Sequence, residues 1–199
     1  GLETAAEVTL LDEAGVTLQV NGREADAGFA AGLLAGFKRA FPDVDFSGAD
    51  VSTVSNIPQS KGLKSSSAAA NAILSAAADA AGISADPLEL VRIGAKASIA
   101  CGVSVTGAFD DAAACMLGGL VFTDNKNMQL LEHRKMPEEY AAVIHLPEGE
   151  IPTLAFPKAE FAKRGAEVSA AFDMARSGDV FAALYANGRC VGESIGVGT

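Results

Sequence analysis

The 199 residues carry 15 Lys and Arg against 25 Asp and Glu, a formal charge of -10, and 49% of them are hydrophobic. That acidity excludes a duplex-binding surface built on clustered cations, and the apolar content excludes a disordered chain. The longest apolar stretch, around residues 65 to 85, is mostly alanine broken by Ser, Asn71 and Asp79, too weakly hydrophobic to span a bilayer. The cysteines, Cys101, Cys115 and Cys190, show neither metal-type spacing nor a disulfide framework, which fits a reducing, cytoplasmic setting. The opening GLETAAEVTLL lacks the succession of basic, apolar and cleavable segments of a signal peptide.

Residues 5 to 20 alternate apolar and polar around Val8, Leu10, Val16, Leu18 and Val20 and break at Asp12 to Gly15, which predicts two strands joined by a tight turn. Asn21-Gly22 predicts a second turn. From Ala25 to Phe41 the apolar residues Phe29, Leu33, Phe37 and Ala40 line one helical face, which Pro42 ends. Residues 50 to 57, rich in β-branched side chains, predict a strand that empties into a loop at Pro58 and Gly62. A helix follows from about Lys64 to Ala81, closed by Gly82, and Asp86-Pro87-Leu88-Glu89 starts another, capped by Asp86 and running to about Cys101. Residues 118 to 123 and 128 to 133 predict a hairpin over Asn125, Tyr140 to Leu146 a further strand, and Pro157 to Ala175 a helix; His133 and His145 then fall on strands. This irregular order predicts an α+β class rather than a doubly wound sheet.

The chemistry concentrates in Pro58-Gln59-Ser60-Lys61-Gly62-Leu63-Lys64-Ser65-Ser66-Ser67-Ala68, at a strand-loop-helix junction. First-turn N–H groups at the positive end of a helix dipole lack acceptors and favour an anion. Gly62 lets the backbone approach it, the three serine hydroxyls donate to phosphate oxygens or reach a shared metal ion, and Lys61 and Lys64 bring charge. From Gln59 through Ala78 no acidic residue occurs. The competing reading is that the serines merely cap an alanine-rich helix. The loop itself carries neither G-x-x-x-x-G-K-[ST] nor G-x-S-x-G, so it is neither a Walker A loop nor a nucleophile elbow.

The string resembles the phosphate-binding motif of the GHMP kinases, P-x-x-x-G-L-G-S-S-A-A, with Lys64 at the second Gly and Ser67 at an Ala. Followed by Ser104-Val105-Thr106-Gly107-Ala108-Phe109-Asp110-Asp111-Ala112, it is similar to the archaeal-type shikimate kinase branch of that superfamily. The resemblance implies a GHMP-kinase-like two-layer α+β fold with mixed or antiparallel sheets and packed helices. Residues 1–150 would form the amino-terminal, ATP-binding domain without its first strand, and 151–199 the start of a truncated carboxy-terminal domain. It implies ATP and Mg²⁺, with Pro58, Gly62, Leu63, Lys64, Ser65, Ser66, Ser67 and Ala68 on the phosphates and Ser66 also on the metal. Thr106 and Gly107 would meet the substrate.

Asp110 takes the place of a catalytic Asp in a short loop before a helix, where a carboxylate orients the attacking hydroxyl and accepts its proton. The competing reading makes Asp110 and Asp111 caps of a helix beginning at Ala112. The implied reaction is phosphorylation of the 3-hydroxyl of shikimate by ATP. Alternatives are a homoserine or mevalonate kinase, or a nucleotide-binding regulator without turnover. The implied partner is a small molecule rather than nucleic acid or membrane, and the oligomeric state stays open. Because the superfamily's amino-terminal strand motif and late glycine-rich motif are not found, the 199 residues alone are expected to fold yet turn over little, positioning being most of such catalysis.

Overall fold

Strands β1 (Thr4–Leu11), β2 (Gly15–Val20) and β3 (Arg23–Glu24) and, after helix α1 (Gly28–Ala40), strand β4 (Gly48–Ser55) form a mixed sheet in the order β1-β4-β2-β3. This is a computed structural model, and it describes residues 1–59, 61–104, 106–136, 138–146 and 158–195. The first two strands form, but not as a paired hairpin: β4 enters between them, antiparallel to β1 and parallel to β2. Leu11 and Gly15 both lie opposite Gly48, so the intervening residues arch over the start of β4. A Cβ on Gly48 would fall 2.2 Å from the carbonyl oxygen of Gly15 and 2.3 Å from that of Glu13. The missing side chain at 48 is what admits the third strand. Asn21 and Gly22, with φ of 50° and 76°, make the two-residue turn from β2 to β3, its twist matched to the strands. The Asn21 amide also accepts from the Ser55 N–H at 2.9 Å, tying the turn to the end of β4.

One face of this sheet carries Val8, Leu10, Val16, Leu18, Ala49 and Val51, and the helices α1, α2 (Ser65–Ala80) and α3 (Pro87–Ala100) bury that core with Leu33, Leu34, Phe37, Ile73, Leu74 and Leu90. Small residues set how closely the helices approach. A Cβ on Gly94 of α3 would lie 3.4 Å from Ala70 and from Leu74 of α2. Asp86 caps α3 by accepting from the Leu88 N–H at 3.2 Å, as the Asp-Pro start predicts.

Helix α4 (Phe109–Leu117) and the antiparallel hairpin of β5 (Leu120–Asp124) and β6 (Gln129–Arg134) follow. A second buried cluster, Val91, Ala95, Phe109, Ala112 and Ala113, seats α4 on α3. Residues 140 to 146 do not form the expected strand: Val143 is 95% exposed, and among the described residues no neighbour offers a ladder. Alternating hydrophobicity without a partner edge buries neither face. His145 is therefore off any strand, while His133 stands on β6 with Nε2 3.1 Å from the Gly118 carbonyl.

The chain forms two compact units, Gly1–Glu150 and Ile151–Thr199. In the second, the helix expected over Pro157 to Ala175 is two, α5 (Lys158–Lys163) and α6 (Gly165–Ser177), broken at Arg164; Pro157 lies outside the described residues. The break falls where Gly165, a poor helix former, follows an arginine whose Nη1 is 2.7 Å from Glu193. That contact joins the start of α6 to the end of α7 (Val180–Ile195), so the two run antiparallel about a turn in which Gly178 takes φ 115°. No helix among the described residues is long and apolar enough to cross a membrane.

Candidate active site

β4 delivers the chain to the loop through a fixed exit. The Asn56 side chain accepts from the Glu3 N–H at 2.7 Å and donates to the Gly1 carbonyl at 3.0 Å, so Pro58 starts from an anchored position. Ser60 lies outside the described residues. Gly62 has φ +74° with nothing near where a Cβ would stand, and Leu63 is half-buried. Lys64 then takes the left-handed conformation, φ 59° and ψ 35°, and is itself the N-cap of α2, with no side-chain capping bond. A non-glycine residue there costs about 1 to 2 kcal/mol.

The serines therefore do not cap. Ser65, Ser66 and Ser67 occupy the first turn, Ser66 exposed and its neighbours half-buried, and Ala68 is the first fully buried residue behind them. The first turn holds no acidic side chain, and its leading N–H groups, lacking intrahelical partners, point beyond the helix end. This is an uncapped helix start dressed only with hydroxyls and an adjacent ammonium.

The second stretch comes to the same place. Thr106 is exposed, and its hydroxyl oxygen accepts from the Ala108 N–H at 3.4 Å; Val105 lies outside the described residues. Gly107 is buried at φ +82°, where a Cβ would stand 3.0 Å from the Ala95 carbonyl oxygen, so this loop presses on α3 as only glycine permits. Ala108 is again left-handed, φ 51°, and caps α4 without a side-chain bond. The helix consequently begins at Phe109 and not at Ala112. Asp110 and Asp111 are thus inside the first turn, neither in a loop ahead of the helix nor at its cap, because the buried Phe109 anchors the turn three residues earlier than Ala112. Carboxylates at that end of a helix are favoured by its dipole.

Asp110 is exposed, and its N–H donates to Asn125 Oδ1 at 3.0 Å, an acceptor that also takes the Thr123 hydroxyl at 2.9 Å. Asp111 is more enclosed and meets Lys64, Nζ to Oδ2 2.9 Å, across the two helix starts. Behind this bridge the buried Asn71 amide of α2 donates to the Ala112 carbonyl at 2.9 Å, and its Oδ1 is a buried acceptor without a partner among the described residues. Arg92 of α3 reaches the hairpin, its Nε donating to the Met128 carbonyl at 3.1 Å. The expected phosphate loop and the expected base thus sit on adjoining helix starts. Sequence reasoning does not find Asn71, Asn125 or the Lys64–Asp111 pair. Asn71 leaves a trace in the chain, a lone amide among alanines; the pair leaves none.

Burial, first, and the neighbouring Asp110 charge push the Asp111 carboxyl above its ordinary range, against the hydrogen bond and charge of Lys64, which pull it down. A native carboxyl that binds its proton more tightly than the unfolded chain stabilises at acid pH. That contribution is lost as pH rises from near the ordinary value of 3.8 through the raised native value. Asp111→Asn is accordingly expected to gain stability relative to the parent as pH rises above the ordinary carboxylate value, read as the difference in urea midpoint at each pH. A difference that moves the other way would show the Lys64 bridge to outweigh burial.

Residues 29–119 match the model of the GHMP kinases N terminal domain. The shikimate kinase of Methanocella arvoryzae is 47% identical over 146 residues, 71% of this chain and 48% of that protein. The shikimate kinase of Pyrococcus furiosus is 36% identical over 188 residues, 94% of this chain and 68% of that protein. The chain thus spans between about half and two thirds of these relatives' length. Among solved structures, Lactococcus lactis galactokinase complexed with galactose superposes with a TM-score of 0.56 at 17% identity, over 88% of this chain and 50% of that one, a likeness of fold.

Proposed function

The chain belongs to the GHMP kinase superfamily, in the branch of the archaeal shikimate kinases, and from that premise we propose that the protein transfers the γ-phosphoryl group of ATP to the 3-hydroxyl of shikimate. The products are shikimate 3-phosphate and ADP. The observation that carries the reading is the uncapped, acid-free start of α2 lying one ion pair from the carboxylates that open α4.

In this reading the turn of Pro58, Gly62, Leu63, Lys64, Ser65, Ser66, Ser67 and Ala68 receives the phosphates, through backbone and first-turn N–H groups and the serine hydroxyls, the Lys64 ammonium being held by Asp111. Thr106 and Gly107 border the acceptor. Asp110 orients the attacking hydroxyl and takes its proton as the oxygen bonds to the γ-phosphorus and the bond to the ADP oxygen breaks. Among the described residues no three His, Cys, Asp or Glu side chains gather to cage a metal, and a magnesium ion carried on nucleotide phosphates needs only one or two protein oxygens. The exposed Ser66 hydroxyl suits that part. When bound, the ion neutralises phosphate charge. The first unit would be the nucleotide-binding domain and the second part of the superfamily's carboxy-terminal domain.

The test is ADP release by the intact protein with shikimate, homoserine and mevalonate in parallel. Turnover confined to homoserine or mevalonate would replace the substrate, and ATP binding without turnover on any of them would favour the regulator. Ser66→Ala is expected to raise the KM for ATP or lower kcat by about 10-fold, the worth of one charge-assisted hydrogen bond, with Ser65→Ala costing less. Unchanged kinetics in Ser66→Ala would remove that hydroxyl from the site.

A further inference from the structure

We infer that Lys64 and Asp111 act as one neutral unit that sets the affinity of the loop for nucleotide phosphates, Lys64 being a positioning residue that works through Asp111. The inference rests on the kinase reading above. Lys64 occupies a backbone conformation that suits glycine, φ 59°, held by the surrounding fold. Its ammonium is engaged by Asp111 at 2.9 Å, in a pair whose lysine side chain is 57% exposed and whose carboxylate is only 20% exposed.

A solvated ion pair of this kind adds little stability by itself. Its place gives it a different effect. Asp110 and Asp111 are adjacent in the first turn of α4, and the phosphate-binding turn of α2 is held beside them, in front by the bridge and behind by the Asn71 bond to Ala112. A polyphosphate arriving at α2 therefore meets two carboxylates at once unless one is neutralised. In a partly enclosed site, where charges interact more strongly than in bulk water, an unneutralised Asp111 would repel the anion. Lys64 cancels that charge and leaves Asp110, whose carboxylate the reaction uses, as the net negative group on the turn.

A double-mutant cycle tests this in the intact protein, with ATP as the probe and its dissociation constant measured by calorimetry, a readout that requires no acceptor substrate. Lys64→Gly removes the ammonium in a residue that fits the backbone, and it is expected to weaken ATP binding about 10-fold. Asp111→Asn should leave binding unchanged or tighter. The double variant should return to within about threefold of the parent, because no uncompensated charge remains. In turnover, Lys64→Gly should raise the KM for ATP more than it lowers kcat, and Lys64→Arg, which keeps the charge, should recover most of that loss relative to Lys64→Gly. A double variant as weak as Lys64→Gly would overturn the inference, since Lys64 would then act on the phosphates directly, and so would full affinity in Lys64→Gly. ATP binding by the parent without shikimate turnover would instead sink the substrate reading and leave the cycle interpretable. A parent that binds no ATP would sink both.

Discussion

Asp110→Asn is expected to lower kcat by about 10²-fold or more while ATP binding, the far-ultraviolet spectrum and the melting temperature stay near those of the parent, the effect of removing a positioned base. The side chain is exposed at the second helical position, where asparagine is tolerated, so the fold does not depend on its charge. What holds the residue in place is its backbone: the N–H bonded to Asn125 fixes the turn, and the substitution leaves that bond intact. Among the described residues no cation pairs with the Asp110 carboxylate, which leaves it available to a hydroxyl, whereas Asp111 is engaged by Lys64. Asp111→Asn should therefore cost less in kcat. The check is steady-state kinetics of both variants with saturating ATP and shikimate, and the reverse ranking would make Asp111 the base.

The largest effect on stability is expected from Phe109→Ala, at about 3 to 5 kcal/mol, because a fully buried aromatic ring leaves a cavity that its neighbours fill only in part. Phe109 has no exposed surface and packs with Val91, Ala95, Ala112 and Ala113. Its buried partners are mostly alanines, which have no side-chain reach with which to close over the gap, and the larger Leu88, Met116, Val121 and Met128 lie around them only partly buried. The ring also stands between the left-handed Ala108 and Asp110, so its loss frees the turn that aims the proposed base. Urea unfolding should show the loss in midpoint, and kcat should fall in the variant even where it is folded, with Phe109→Leu intermediate in both. A loss below about 1 kcal/mol would mean that α4 is held by other contacts.

Features whose energetics lie within a few residues are legible in the amino-acid sequence. Asn21-Gly22 declares its turn because both residues tolerate positive φ, and Asp86-Pro87 declares a helix start because the carboxylate reaches an N–H two residues on. The loop at 58 to 68 is legible in the same way, as a glycine, two lysines and three serines before an alanine-rich helix in an acid-free stretch of an acidic chain. Periodicity alone is less dependable. It marks the helix over 64 to 81 well, overruns a break at Arg164, and promises a strand at 140 to 146 that has no edge to join.

Everything that depends on residues far apart in sequence is decided by packing. The entry of β4 between β1 and β2 turns on the bare Cα of Gly48 meeting backbone oxygens some thirty residues earlier. The start of α4 at Phe109 turns on its ring packing against Val91 and Ala95 of α3, and the bridge from Lys64 to Asp111 on two helix starts being brought side by side. Local residue chemistry specified which groups were on hand, a run of hydroxyls, an ammonium and two carboxylates. Which carboxylate is neutralised and which stays exposed depended on the tertiary structure, because a charge interaction acts through distance and burial, and neither is a property of neighbouring positions in a chain.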